Sequence, residues 1–157
     1  MEGLKLKNMF RVQIDENGQI VGNSGWQTNN VTNTGMDKYI LQLMTGDAGS
    51  LRVSHVALGT GGTLTDATNQ IPGEIAHAVS SRAAVTAVTS ASSRVRFTAT
   101  FNSANSFVTA NANISNIGLY QQSNTNTASV FAGNTYTSST VATNQNVNIT
   151  YDINFTG

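Results

Sequence analysis

NTGMDKYILQLMTG, at residues 33–46, is the one stretch of this sequence with a clear helical pattern, and it sets the expected architecture. Apolar residues recur in it at the i, i+3, i+4, i+7 and i+8 spacing of a single helix face, at Met36, Tyr39, Ile40, Leu43 and Met44. A short helix is marginal in water, so another surface has to cover this apolar stripe. We therefore predict that the helix packs against one end or edge of a β-sandwich.

Both ends of this helix carry termination signals. Thr34 is placed to cap the N-terminus, and Asp37 puts a carboxylate near the positive end of the helix. Gly46 can adopt the left-handed conformation that ends a helix. These signals place one short α-helix at about residues 35–45.

The remaining chain alternates apolar and polar residues, which is the pattern of half-buried β-strands. The clearest case closes the chain at residues 147–155, where every second residue is apolar. Asn17-Gly18 lies between Ile14 and Ile20 and predicts a two-residue hairpin. Other strands are predicted at residues 4–6, 10–14, 19–21, 51–58, 76–89, 93–101, 108–120 and 130–132, and polar loops at residues 22–30, 60–72, 121–128 and 138–146.

About eight strands predict a mainly β fold, an antiparallel β-sandwich or jelly roll, with the helix in a crossover. Residues 12–157 are expected to form a single sandwich domain, and residues 1–11 either an N-terminal arm or the first strand. The chain has 157 residues, which is long enough to bury a core without metals or disulfides.

Composition narrows the classes of partner. Acidic and basic residues number 8 each and the formal net charge is zero, so we expect neither nucleic acid nor a membrane as a partner. No cysteine is present, which excludes disulfides and cysteine-ligated metals. The N-terminus lacks the apolar segment of a signal peptide, and no apolar run has the length of a transmembrane helix.

No set of residues in the sequence has the pattern of an enzyme active site. His55 and His77 are the only histidines, no serine lies in a G-x-S-x-G motif, and the acidic residues are scattered. A metal site of His55, His77 and Glu74 is left open, although the spacing follows no known ligand pattern. We expect a non-enzymatic protein with no catalytic residues, no metal and no cofactor.

Three further features could each have a structural or a functional role. Trp26 is expected to cover the edge of the core more readily than to recognise a ligand. Arg82, Arg94 and Arg96 are expected to form a solvated face or an intersubunit contact in preference to a nucleic-acid site. The glycine-rich residues 59–62 lack the Lys-Ser/Thr ending of a phosphate-binding loop.

Five motifs occur in order along the chain: GWQTNNVTNTG at residues 25–35, HVALGTG at 55–61, RVRFTATF at 94–101, ISNIGLY at 114–120 and VNITYDINF at 147–155. Together they resemble motifs of small virion structural proteins of tailed bacteriophages, which are described as head-decoration or tail-fibre-like proteins. In those proteins an acidic residue commonly precedes the Gly-Leu pair, whereas this chain has Asn116 and Ile117 there. The similarity covers most of residues 20–157.

The resemblance implies a capsid decoration or cement protein that folds in the bacterial host cytoplasm and then docks on the virion as an oligomer, commonly a homotrimer. Its partners would be the major capsid protein or a tail protein, together with copies of itself. The N-terminal arm is the predicted docking element unless it is an ordinary first strand. The docking residues are Leu4, Lys5, Leu6, Lys7, Met9, Phe10 and Arg11.

A tail-fibre or receptor-binding protein is the alternative function. In that case loops at residues 60–72 and 121–128 would contact host surface glycans. Trp26 and Tyr136 are the aromatic residues that we expect at loop tips, where aromatic rings commonly stack on sugars.

Overall fold

A computed structural model of the chain describes residues 5–46, 51–78, 81–127 and 129–156. The fold is mainly β and antiparallel, which confirms the fold class predicted from the alternating pattern. The strands are β1 (Lys5–Glu16), β2 (Gln19–Asn23), β3 (Gln27–Val31), β4 (His55–Gly59), β5 (Glu74–Ile75), β6 (Ala83–Ala84), β7 (Thr86–Ala91), β8 (Arg94–Phe101), β9 (Ala112–Tyr120), β10 (Ala132–Val141) and β11 (Asn146–Thr156).

The strands form one path in the order β5-β4-β9-β10-β3-β1-β11-β8-β7, with β2 added to β1 and β6 added to β4. We call β3-β1-β11-β8-β7 sheet A and β5-β4-β9-β10 sheet B. The apolar faces of both sheets share one core cluster, which includes Phe10 and Tyr151 of sheet A and Leu119 of sheet B. This arrangement is sandwich-like, with β3 connecting the two layers.

Within the described chain the strands exceed the predicted number because three of them were missed. β3 overlaps the loop predicted at residues 22–30, and β5 lies between the loop predicted at residues 60–72 and the strand predicted at residues 76–89. That predicted strand is itself divided into β6 and β7. The polar loop predicted at residues 138–146 is also wrong, because β10 continues to Val141. One face of β10 is exposed there, so its TYTSST segment has the polarity of a loop.

β1 and β11 pair in one register from Lys5 opposite Thr156 to Asp15 opposite Asn146. The predicted boundary at residue 11 therefore falls inside β1, and residues 5–11 form the first strand and not a separate arm. Phe10 is fully buried, with its ring centroid 5.7 Å from that of Tyr136 and 5.9 Å from that of Tyr151. These aromatic contacts anchor β1 to both layers.

The hairpin predicted at Asn17-Gly18 is present between β1 and β2. Asn17 has φ +53° and Gly18 has φ +80°, which are the positive values that a type I′ turn requires. This turn type matches the right-handed twist of the flanking strands, so it favours the hairpin that the sequence predicts.

The predicted helix is present as a π-helix at Gly35–Leu41 followed by a short α-helix, α1, at Gln42–Thr45. The i→i+5 bonding of a π-helix gives a wider turn, so residues three apart no longer lie on one face. Tyr39 is buried, but Met36 and Met44 are 40% and 78% exposed, so the predicted continuous apolar stripe is wrong at both methionines. The side chain of Leu43 lies outside the described residues.

The N-terminal cap also differs from the prediction. Thr34 makes no capping hydrogen bond, and its φ of −62° is helical. Instead, the Oγ1 atom of Thr32 accepts a hydrogen bond from the Gly35 amide at 2.9 Å. Gly46 has φ +69°, which confirms the predicted left-handed end. None of the helices in the described ranges has both the length and the apolar character required to cross a membrane.

A layer of loops covers the outer face of sheet B. Ala57, Leu64, Ile71, Tyr120 and Val130 form a second apolar cluster there. β4 is therefore buried on both faces, as its nearly continuous apolar sequence predicts. The loop at residues 60–72 was expected to be a polar, exposed surface, and this is wrong at Leu64 and Ile71, which are 7% and 1% exposed.

Asn116 holds this loop layer on sheet B. Its Nδ2 atom donates hydrogen bonds to the carbonyl oxygens of Gly61, at 3.2 Å, and Pro72, at 3.0 Å. A carboxylate at this position could not donate either bond. The amide of Asn116 therefore has a local structural role.

Candidate functional site

The alternation of β1 divides the predicted docking residues between its two faces. Phe10 lies in the core and Leu6 lines an apolar groove, whereas Lys7 and Met9 line a hollow on the outer face of sheet A. Arg11 lies on that same face, beside Trp26. Lys5 is exposed at the start of β1, and Leu4 lies outside the described residues.

We call the outer surface of sheet A around Trp26 the basic face. It contains a hollow of about 560 Å³ that is lined by Lys7, Met9, Trp26, Ser93, Arg94, Arg96, Asp152, Asn154 and Thr156. The register explains this composition, because Met9, Asp152 and Arg96 are neighbours across β1, β11 and β8. Asp152 is the one acidic residue in this lining, so the described part of the hollow has an excess of positive charge.

Asp152 holds Arg96 in a fixed position. The Nε and Nη2 atoms of Arg96 donate to the two carboxylate oxygens of Asp152, both at 2.7 Å, and Nη1 of Arg94 lies 3.8 Å from the same carboxylate. The hydrogen bond to Asp152 raises the pKa of Arg96 above its ordinary value. Arg96 is therefore a preorganised cation in a bidentate pair.

Trp26 lies on this basic face and is 41% exposed. The guanidinium carbon of Arg11 is 5.1 Å from its ring centroid and that of Arg96 is 6.0 Å away. The expectation that Trp26 covers the core edge is therefore wrong. Lys7 and Arg11 form no ion pair with any described residue, so their charges remain available to a partner.

Arg82 does not belong to the basic face, in contrast to the predicted group of three arginines. Its side chain and that of Glu74 are fully buried and paired, with Nε 2.6 Å from Oε1 and Nη2 3.1 Å from Oε2. Arg82 also donates to the carbonyl oxygens of Gln122 and Thr127, and its guanidinium carbon is 3.4 Å from the ring centroid of Tyr120. This ion pair fixes the segment that follows β9 against β5.

A second surface is an apolar groove of about 590 Å³ where sheet A, the π-helix and residues 51–53 meet. Only one of its lining residues is charged, namely Arg52. The lining residues are Leu6, Tyr39, Ile40, Leu51, Arg52, Val53, Ala87, Val95, Phe97, Phe131, Ile153 and Phe155. Phe155 is 38% exposed at this groove, so a ring that could be buried faces solvent.

The two histidines lie in separate environments. Nδ1 of His55 is 2.8 Å from Oγ of Ser54, and this hydroxyl donates to the Gln121 carbonyl at 2.5 Å, so the histidine is the donor to the serine. His77 accepts hydrogen bonds through Nε2 from the Asn102 amide and from Nδ2 of Asn105. Burial lowers the pKa of both histidines below the ordinary value.

The metal site left open from the sequence, His55 with His77 and Glu74, is not assembled. The carboxylate of Glu74 is occupied by Arg82 and by the Asn126 amide, and His77 is held by Asn102 and Asn105. Within residues 5–46, 51–78, 81–127 and 129–156, no three histidine or acidic side chains are grouped so that they could hold a metal ion.

No protein-family model, curated protein or solved structure matches this chain. The basic face and the apolar groove are therefore interpreted from their own geometry and charge.

Replacing Glu74 with alanine should destabilise the fold strongly, because it leaves the buried Arg82 charge without its partner. The expected loss is about 3–5 kcal/mol in the free energy of unfolding, measured by urea denaturation. Asp37→Ala is the control, because Asp37 and its partner Lys38 are 58% and 49% exposed in their side chains, and this change should cost less than about 1 kcal/mol. Equal losses for the two variants would contradict the structural role of the buried pair.

Acidification should destabilise the fold below pH 6.5, because the unfolded histidine has a pKa of about 6.5 and takes up a proton that folded His77 resists. Protonation would place a hydrogen on the Nε2 atom that accepts bonds from Asn102 and Asn105. In His77→Gln the free energy of unfolding, measured from pH 7.5 to 5, should fall less steeply than in the wild type. The remaining slope belongs partly to His55, whose pKa is lowered in the same direction. An identical slope in both proteins would exclude His77 as a source.

Proposed function

We propose that this chain is a non-enzymatic structural protein of a bacteriophage virion, a capsid decoration or cement protein that attaches to the outer head surface. The observation that carries the proposal is the basic face, where an exposed tryptophan lies among cations on rigid strands. The phage-like motifs at residues 25–35, 55–61, 94–101, 114–120 and 147–155 support the same class of protein.

The basic face has the composition of a protein-binding surface. Tryptophan and arginine are the residues that most often dominate the energy of protein interfaces. Trp26 lies in the bend directly before β3 and contacts Arg11 and Arg96, and Asp152 fixes Arg96 on β8, so both side chains have defined contacts before any partner binds. Little side-chain entropy is then lost on docking.

The charge of the basic face specifies the chemistry of the partner. Lys7 and Arg11 lack acidic partners among the described residues, so the complementary surface on the particle would be acidic. The docking residues of β1 would be Lys7, Met9 and Arg11, whereas Phe10 is buried and contributes to the fold. Symmetric repetition of such a contact over a shell would retain many copies without covalent chemistry.

The charge-reversal variant Lys7→Glu/Arg11→Glu tests this docking surface. Binding to purified particles, measured by co-sedimentation at low ionic strength, should weaken at least about tenfold, which corresponds to about 1.4 kcal/mol. The matched control is Lys38→Glu/Arg52→Glu, which reverses two exposed cations outside the basic face. Wild-type binding should also weaken as salt is added.

The circular dichroism spectrum and unfolding midpoint of both charge variants should match those of the wild type. Unchanged particle binding by the Lys7→Glu/Arg11→Glu variant would reject the basic face as the docking surface. Equal loss in the control would show that overall charge, and not this face, governs attachment.

A tail-fibre or receptor-binding protein is the alternative proposal, and the exposed ring of Trp26 favours it. Tyr136, the other expected sugar platform, is 8% exposed and packs on Phe10, so it does not support this role.

Copy number separates the two roles. Quantitative mass spectrometry of purified virions should give many copies per particle, comparable with the major capsid protein, for decoration. A handful of copies would favour a fibre, and absence from the particle would contradict both proposals.

A further inference from the structure

β7 is a free edge of sheet A; β2, which pairs with β1 alone among the described strands, is a second one. β7 ends the strand order, it pairs with β8 on one side, and all six of its residues are exposed. No described strand covers its other side. An edge of this kind presents unpaired backbone N–H and C=O groups to solvent, where they can pair with another strand.

The sequence of β7, TAVTSA, contains no charged residue and no proline, which are the usual protections of an exposed edge. Its pairing with β8 is regular from Thr86 to Thr89 and shifts only between Thr89 and Ala91. Val88, in the regular part, is 49% exposed. β7 therefore has a short, uncharged edge with an apolar residue in its regularly paired part.

We infer that β7 pairs with β7 of a second copy of this chain, antiparallel and about a two-fold axis at Val88. In this register Val88 lies opposite its own copy, and Ala87 lies opposite Thr89. Opposite residues of an antiparallel pair point to the same face of the sheet, so the two valine side chains bury each other on the outer face. A two-fold contact needs only one self-complementary patch, and β7 is one.

Charges near the axis do not oppose this pairing. Arg96 is the neighbour of Val88 on β8, and its charge is compensated by the bidentate bond to Asp152. β7 itself is uncharged, and the net charge of the chain is zero. Arg94 donates to Oγ of Ser90, two residues from the axis, and lies 3.8 Å from the same Asp152 carboxylate. Two copies can therefore approach edge to edge without a like-charge pair directly opposite each other at Val88.

The apolar groove adds to the contact, because it begins at the same strand. Ala87 of β7 is one of its lining residues, and the exposed Phe155 is another. A two-fold axis through β7 brings the grooves of both copies side by side on the inner faces of a continuous sheet. Pairing of two short strands is only marginally stable by itself, so a stable dimer has to bury additional apolar surface. The two grooves supply that surface.

Single-cysteine variants test the geometry, since the chain has no cysteine of its own. Cα atoms about 4.5–5.5 Å apart in an antiparallel pair lie within the range that a disulfide can bridge. Val88→Cys should give a disulfide-linked dimer under mild oxidation, seen by non-reducing electrophoresis. Val21→Cys is the matched control, because Val21 is 56% exposed on β2, which pairs only with β1, and this variant should remain unlinked.

Lysine variants test the association without a covalent bond. The wild type should have the mass of a dimer, and not of the homotrimer that the phage resemblance implies, by light scattering after gel filtration. Val88→Lys places two positive charges at the axis and should give a monomer whose circular dichroism spectrum matches that of the wild type, whereas Val21→Lys should remain a dimer. The unfolding midpoint of the monomer should fall modestly, because the folded state is no longer stabilised by association.

A wild-type monomer or trimer would overturn the inference, as would disulfide linkage of the Val21→Cys variant to the same extent as the Val88→Cys variant. A monomeric Val88→Lys variant with an altered circular dichroism spectrum would be checked against Val88→Thr, which keeps a β-branched shape without charge and should remain a dimer. These measurements use the purified chain, so their failure leaves particle docking through the basic face untouched, and the reverse also holds.

Discussion

The pairing of β1 with β11 is the constraint on which the other features of the structure depend. It brings the two ends of the described chain together inside sheet A, and β3 and β8 add to its two sides. Side chains alternate along a strand, so this one register directs Phe10 and Tyr151 inward and Arg11 and Asp152 outward. A slip by one residue would exchange the two sets. The core and the basic face are therefore produced by the same set of backbone hydrogen bonds, and a change that preserves one preserves the geometry of the other.

On the outer side of sheet B, buried polar contacts act together with the second apolar cluster. The pair Arg82–Glu74 is fully buried, and the backbone groups of Gln122, Asn126 and Thr127 complete its hydrogen bonding. Desolvation of two charges is expensive, so a pair of this kind contributes less to stability than to the choice of one conformation. Here the pair selects one conformation for the segment after β9, because its hydrogen bonds go to backbone groups of that segment.

The helix has a smaller role than its pattern indicates. Its contact with the body is centred on Tyr39, whose ring centroid is 5.1 Å from that of Phe131 and whose hydroxyl donates to the Ser129 carbonyl at 2.6 Å. Gly35 allows the backbone to approach closely, because a Cβ atom there would overlap the Phe131 carbonyl oxygen. The close approach and the π-helical turn orient Tyr39 inward, and they leave Met36 and Met44 in solvent. A regular helical spacing could not reveal this, since it presumes i→i+4 bonding.

The sequence by itself determined the fold class, the Asn17-Gly18 turn, the strand at residues 147–155 and the end of the helix at Gly46, because alternation and positive-φ turns are local properties. It could not determine that Trp26 lies outside the core. Nor could it determine that Arg82 is buried whereas Arg94 and Arg96 are not, because the local sequence around an arginine does not show whether a distant residue will cover it. Only the tertiary structure decided which charges meet: Asp152 lies far from Arg96 in the chain, and Arg82 finds Glu74 only when β5 packs beside β4. The strands and turns of this protein depend on neighbouring residues, whereas its surfaces are formed by residues that are distant in the sequence.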